Sequence, residues 1–157
     1  MKILKLNLLL FFLLCFQQNI FAKEVNGSVT APKILEMVNS FRESHGLNPL
    51  KLNPIISSIA KNHTVKMAHH DIELGHSGFS GRAHTLMHNI PQTRNVAENV
   101  AFHDLDNVKR LVNLWLNSPG HKKNILGNYN FTGIDVEKDD NGRVYATQIF
   151  INSKRNG

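Results

Sequence analysis

Cysteine is almost missing: the 157-residue chain has one, Cys15, set within an apolar N-terminal run. No disulfide framework can be built from it, so packing must hold the fold together. Aromatic residues are scarce at 8%, with Trp115 the lone tryptophan. Basic residues are scattered, and only Lys109-Arg110, Lys122-Lys123 and Lys154-Arg155 stand side by side. Without clustered charge or interleaved aromatics, no nucleic-acid binding is expected. Repeats and low-complexity tracts are absent, and no HExxH or CxxC pair brings metal ligands together locally.

What is present begins with Lys2 and Lys5, followed by a largely apolar run of about 11 residues from Leu6 to Phe16, with Ala22 at a cleavage position. This pattern is that of a secretory signal peptide over residues 1–22. An uncleaved anchor needs ~20 apolar residues, and here Gln17, Gln18 and Asn19 interrupt too early. Lipoprotein processing at Cys15 is disfavoured because Leu13 and Leu14 precede it. Cleavage leaves about 135 residues, enough for one domain with a core. It removes Cys15, Lys2 and Lys5, so sixteen basic residues face twelve acidic ones, a net charge of +4. The expected location is extracellular or periplasmic, with no stable transmembrane segment, and the mild positive charge allows attraction to anionic envelope polymers or lipid surfaces.

Hydrophobic periodicity organises the rest. Thr30 and Pro32 open a helix whose Ile34, Leu35, Val38 and Phe41 recur at helical spacing until Gly46. Asn53 and Pro54 start a second helix carrying Ile55, Ile56, Ile59, Ala60, His63 and Met67 on one face and ending near Asp71. Residues 72–95, punctuated by glycines and Pro91, read as mostly loop with a short helical turn near 84–87. A buried strand is expected over residues 95–102. Asp104 or Asp106 then caps a third helix with Val108, Leu111, Val112, Trp115 and Leu116 on its apolar stripe, ended by Pro119, and a short helix over 121–126 follows. Residues 131–137 and 143–151 flank Asp139-Asp140-Asn141-Gly142, a hairpin signal. Helices first and antiparallel strands last make an α+β domain.

The most pointed stretch is 115–126, Trp-Leu-Asn-Ser-Pro-Gly-His-Lys-Lys-Asn-Ile-Leu. Pro119 biases Ser118 out of the α region and Gly120 removes bulk beside His121, which aims that histidine at a helix junction. Together with Gly75-His76-Ser77-Gly78-Phe79, Ala97-Glu98-Asn99-Val100-Ala101 and Tyr145-Ala-Thr-Gln-Ile-Phe150, in this order, it resembles the signature blocks of a bacterial CAP (SCP) domain, the superfamily of cysteine-rich secretory proteins, antigen 5 and plant pathogenesis-related proteins. The resemblance spans the domain at 33–151, after a short leader at 23–32 and before a tail at 152–157. It implies an α-β-α three-layer sandwich around a central antiparallel sheet.

The resemblance further implies a cleft in which two histidines and two glutamates can hold a divalent cation. His76, Glu98 and His121 match three of those positions. The fourth does not match: three residues after the motif tryptophan, where the animal and plant branch has a glutamate, stands Ser118. Two imidazoles and a carboxylate still make a zinc set with an open fourth position. The competing reading of each residue is structural: His121 as a backbone-bonded loop histidine, His76 as part of an ordinary turn, Glu98 as a surface carboxylate on an otherwise apolar strand. His63 reads first as a core histidine and second as a substitute fourth ligand; Asn124 and Gln148 are candidate supporting donors.

Two functions follow, beside a purely structural surface role that needs none of the three residues. The first is a secreted binding module whose cleft recognises an envelope polymer, a lipid or a protein partner, with or without a divalent cation such as zinc. The second is a metal-dependent hydrolase, a peptidase or cell-wall hydrolase, in which a cation on His76 and His121 activates water and Glu98 is ligand or general base. No mature cysteine nucleophile and no evident Asp-oriented triad favour covalent catalysis.

Overall fold

The first helix, α1 (Ala31–Glu43), starts where Thr30 is still extended and Pro32 occupies the first turn; the Thr30 side chain makes no capping bond. Ile34 and Val38 are buried on its inner face, and the chain leaves it through Gly46 in the left-handed region at φ 73. A two-residue strand, β1 (Lys51–Leu52), leads to α2 (Pro54–Ala68). Asn53 caps α2 as its sequence predicts, Oδ1 accepting from Ile55 N at 2.9 Å and Ile56 N at 3.3 Å. The helix stops at Ala68, earlier than Asp71, and His70 turns the chain at φ 61. The computed structural model that gives this architecture describes residues 29–154; the expected signal peptide and most of the leader lie outside the described residues, as does the end of the tail.

Between α2 and the next strand the sequence reading needs correction. Residues 72–95 contain a full helix, α3 (Phe79–Asn89), in place of a short turn. Gly78 takes the left-handed conformation at φ 74 immediately before it, so that glycine launches the helix where glycine more often ends one. Gly81 costs about 1 kcal/mol relative to alanine inside a helix. Burial of Leu86 against Ile56 and Ile149 offsets it.

Strand β2 (Thr93–His103) is followed by α4 (Val108–Asn117), whose cap is Asn107, with Oδ1 accepting from Arg110 N at 3.0 Å. Asp104 and Asp106 do not take that role. Asp106 accepts instead from Val29 N and from Lys138 Nζ, pinning the start of the domain to the hairpin. After Ser118, extended at ψ 119, Pro119 begins α5 (Pro119–Ile125).

The hairpin pairs β3 (Phe131–Lys138) with β4 (Val144–Ser153). At its turn Asp139 Oδ1 accepts from Asn141 N and Arg143 N, both at 2.9 Å, and Oδ2 from Arg143 Nε at 2.7 Å. Burial pushes the Asp139 carboxyl up, but these hydrogen bonds to Arg143 and Asn141 outweigh it and hold the group below the usual carboxylate range.

The sheet runs β1-β3-β4-β2, antiparallel except for the β1–β3 pair. Side-chain alternation along β4 divides the core. Ile149 and Ile151 pack on Ile56, Ala60 and Leu86 from α2 and α3. Val144, Ala146 and Phe150 pack on the other face with Ile34, Leu111 and Trp115 from α1 and α4. The result is the expected three-layer α-β-α sandwich. Among the described residues, no helix is long and apolar enough to cross a membrane.

Contact between α2 and the sheet is closest at Gly133 on β3. A Cβ there would lie 2.3 Å from both Ile56 C and Ser57 N, backbone atoms that cannot swing aside. Gly133→Ala is therefore expected to lower unfolding stability by at least about 2 kcal/mol through overpacking. Urea denaturation of the variant beside wild type measures this; an unchanged midpoint would contradict the packing.

Candidate functional site

The edge strand β2 positions the site by simple alternation. Glu98 and Asn99 are neighbours in sequence, so their side chains leave opposite faces of the sheet. Glu98 turns toward α3 and the loop before it, whereas Asn99 turns toward α5. The two faces meet around this strand.

On the first face the Glu98 side chain is only 1% exposed, and a buried carboxylate must be matched. Arg82, from the unexpected helix α3, matches it with a fork: Nε donates to Oε2 at 2.7 Å and Nη2 to Oε1 at 2.7 Å. Its Nη1 also donates to Ser77 O at 2.8 Å, fastening the loop that carries His76. His76 Nδ1 donates to Glu98 Oε1 at 3.0 Å. Because an ionised carboxylate only accepts, Nδ1 carries a proton in this contact and Nε2 is turned away from Glu98.

On the second face, Asn99 Nδ2 donates to the backbone oxygen of His121 at 3.1 Å. Asn124 Nδ2 donates to Asn99 Oδ1 at 2.9 Å and to the backbone oxygen of Glu98 at 3.2 Å. These bonds lash α5 to β2 and bring the His121 ring to 6.2 Å from the His76 ring, centre to centre. The His76 side chain is half exposed. A solvent-open cleft thus lies between two imidazoles, with the Arg82–Glu98 pair at its base.

His76, Glu98 and His121 are brought together from segments 22 and 23 residues apart. His63 sits one step behind them: it is buried, and its Nε2 meets Gly75 O at 2.8 Å, so it braces the His76 loop and offers no free nitrogen on that side. Asn124 supports the cleft through the backbone. Gln148 does not reach it; its Nε2 donates to Thr132 Oγ1 on the neighbouring strand β3 at 3.2 Å, and its Oε1 has no partner. Arg82 and Asn99 escaped the sequence reading. The spacing Arg82, Leu86, Ile90 was the available signal for an inward helical face carrying the arginine. A second depression of about 550 Å³, lined in part by Met67, His70, Phe102 and Tyr145, contains none of the expected site residues.

Burial lowers the pKa of His63, outweighing its bond to Gly75, and burial together with the nearby charge of His76 lowers that of His121. Both rings are therefore neutral at neutral pH. Whether a cation suits this donor set turns on Glu98. Oε1 already accepts two hydrogen bonds, and a guanidinium lies 2.7 Å from each oxygen, so a divalent ion brought to the carboxylate meets a positive charge already in contact with it. As arranged, the Glu98 carboxylate is not free to serve as a metal ligand. Among the described residues no three His, Cys, Asp or Glu side chains are grouped to hold one.

Comparison with known proteins agrees with the fold and the motif order. Residues 35–150 match the CAP family, described as the cysteine-rich secretory protein family. The chain belongs to that family. Among curated proteins, the uncharacterized protein YkwD of Bacillus subtilis is 31% identical over 139 residues, which cover 83% of this chain and 53% of YkwD. The chain thus spans about half the length of that curated relative. A cysteine-rich secretory protein of Staphylococcus aureus superposes with a TM-score of 0.62 at 29% identity, over 76% of this chain and 37% of the other. An outer surface protein of Borrelia burgdorferi shares the fold at a TM-score of 0.65 and 19% identity, over 82% and 99% of the two chains. An extracellular protein of Bacillus anthracis containing an SCP domain does so at 0.61 and 23%, over 81% and 45%.

In this CAP domain the Arg82–Glu98 pair should behave as one buried unit. Arg82→Met is expected to lower stability by about 3–5 kcal/mol by stranding the carboxylate. Arg82→Met combined with Glu98→Gln should recover much of that loss. Denaturant unfolding of the two singles and the double measures the coupling, and additive losses would refute it. The histidines give a pH test. A histidine with a lowered folded pKa binds fewer protons folded than unfolded, so its contribution is complete above the unfolded value of about 6.5 and is lost as pH falls from there toward the folded pKa. NMR titration should place the His63 and His121 midpoints below 6.5, and that of His121 should rise in His76→Ala.

Proposed function

We propose that this CAP-family protein is a secreted binding module whose cleft recognises an envelope polymer, a lipid or a protein partner through the imidazoles of His76 and His121. The observation that supports it is the capping of Glu98. The carboxylate that a hydrolase would use as base or ligand is already held on both oxygens by Arg82 and on one by His76. A carboxylate held on both oxygens and shut from solvent is not placed to meet a water in the open cleft. The open histidines instead supply directional hydrogen bonding to a polar segment lying across the cleft.

Export is supported by the basic and apolar N-terminus. It also suits similarity to proteins described as extracellular and as an outer surface protein. The excess of basic residues favours anionic envelope material as the first ligand to try.

The test uses the purified protein with isolated cell-wall sacculi, anionic lipid vesicles and envelope protein extract, in sedimentation assays. Retention on one of these is expected to fall about tenfold in the His76→Ala/His121→Ala variant, without release of soluble fragments. Release of peptide or glycan fragments that disappears in His121→Ala would replace this reading with the hydrolase.

A further inference from the structure

We infer that the depression beside the end of α2 is a binding site for a small, freely diffusing organic cation, an ammonium group surrounded by methyl or methylene carbon. It shares no residue with the cleft of His76 and His121, so the inference goes beyond the binding reading and stands or fails separately. Glu98 and Phe102 lie on the same face of β2, four residues apart, which separates the two sites by about 13 Å along the strand.

The depression has a volume of about 550 Å³, in the range of small-molecule sites, and its lining is largely apolar and aromatic. Phe102 and Tyr145 are cross-strand partners on β2 and β4, and their rings stack with centres 5.9 Å and planes 26° apart. His70 meets Tyr145 edge-on at 6.2 Å, and buried Met67 completes this lining. Phe102 stays 38% exposed and Leu74 45%, so the apolar lip is open to solvent. His70 is placed by a strained turn. The bonds from His70 N to Met67 O and from Asp71 N to Lys66 O form the Schellman ending of α2, whose left-handed position glycine usually takes. A histidine occupies it here at φ 61, a conformation that surrounding contacts must hold. Asp139 Oδ2 lies 3.6 Å from His70 Nε2 and supplies one of them.

Charge decides what such a site accepts. The chain has 18 basic residues against 12 acidic, yet this rim is acidic. Asp71 and Glu73 both line it, and among the described residues neither has an ion-pair partner. The arginine of the rim, Arg143, is already engaged by Asp139 through a 2.7 Å bond from Nε to Oδ2, and Asp104 acts on its charge as well. Two unanswered carboxylates beside aromatic rings suit a cation, whose charge is drawn to the ring faces while its carbon fills the apolar lining. An anion is repelled by the same carboxylates, and the phosphate of a lipid headgroup would be pressed against them, which makes the occupant a free solute.

NMR titration at constant ionic strength compares choline chloride with dimethylbutanol, the isostere in which carbon replaces the charged nitrogen. Choline is expected to give saturable shifts at His70, Phe102 and Tyr145 and to bind about fivefold or more tightly than the alcohol. Asp71→Asn/Glu73→Gln should weaken choline about fivefold and leave the alcohol unchanged, whereas Phe102→Ala should weaken both. Equal binding of choline and the alcohol would overturn the proposal, as would choline without saturable shifts at these residues. So would inorganic phosphate binding there in place of choline, because Arg143 would then set the sign of the site. If Phe102→Ala does not fold, the Asp71→Asn/Glu73→Gln variant decides, since both positions are exposed. Protein carried down by phosphatidylcholine vesicles and released by choline would contradict a free solute. The His76→Ala/His121→Ala variant should bind choline as wild type does, and a loss there would move the cation to the cleft and overturn this site while leaving the binding reading intact.

Discussion

A carboxylate shut away from water sets the terms for the rest of the molecule. Alternation along β2 sends the Glu98 side chain inward, where it needs a matching donor. The match comes from elsewhere in the chain, from Arg82 in α3. That requirement explains why the glycine-rich segment is ordered as it is. Gly78 bends into the left-handed region so that a helix can begin at Phe79, and the helix must begin there for Arg82 to face the sheet one turn later. Leu86, one further turn along, buries itself in the same direction. One ion pair thus fixes a helix, a loop and the orientation of His76.

A second buried arginine does corresponding work on the other face. Arg42 is 2% exposed and has no acidic partner in its hydrogen bonding; it donates to the carbonyls of Asn48, Ile125, Gly127 and Tyr129 at 2.7–3.1 Å. Two of those carbonyls lie at and just beyond the C-terminus of α5, where unpaired oxygens and the helix dipole both favour a cation. Helix α5 has seven residues, far fewer than the ~12–15 an isolated helix needs to persist. Arg42 holds its end, Asn99 and Asn124 hold its side, and Pro119 sets its beginning. His121 is aimed because the helix beneath it has been fastened at every point except the ring.

These two anchors also separate what the sequence makes legible from what it hides. Helices α1, α2 and α4 were readable because their apolar residues recur at helical spacing and because Pro32, Asn53-Pro54 and Pro119 mark ends by chemistry that acts locally. The hairpin was readable for the same reason, through Asp139 to Gly142. Helix α3 was not, since two glycines in and beside an 11-residue helix argue locally against it, and its compensation lies in Glu98 and the core, far along the chain. The cap of α4 went to Asn107, where three neighbouring candidates offered the same chemistry and only the position of Val29 and Lys138 decided that Asp106 was engaged elsewhere. The trio His76, Glu98 and His121 came from the resemblance, as spacings of 22 and 23 residues carry no geometric message. Arg82 belonged to no motif.

Ser118 and Arg82 are then two sides of one balance. The animal and plant pattern implied by the resemblance places a second carboxylate three residues after the tryptophan, and a cleft with two carboxylates and two neutral imidazoles carries a double negative charge that a divalent ion neutralises. With Ser118 at that position, this chain brings one carboxylate to the cleft and meets it with one guanidinium. The charge is already zero. A divalent ion added beside this pair would leave it doubly positive in a partly buried setting, close to His121, whose pKa burial has pushed down. Loss of an acid at one position and the presence of a base at another, 36 residues apart in the chain, therefore describe a single electrostatic solution, and each makes sense only when the other is in view.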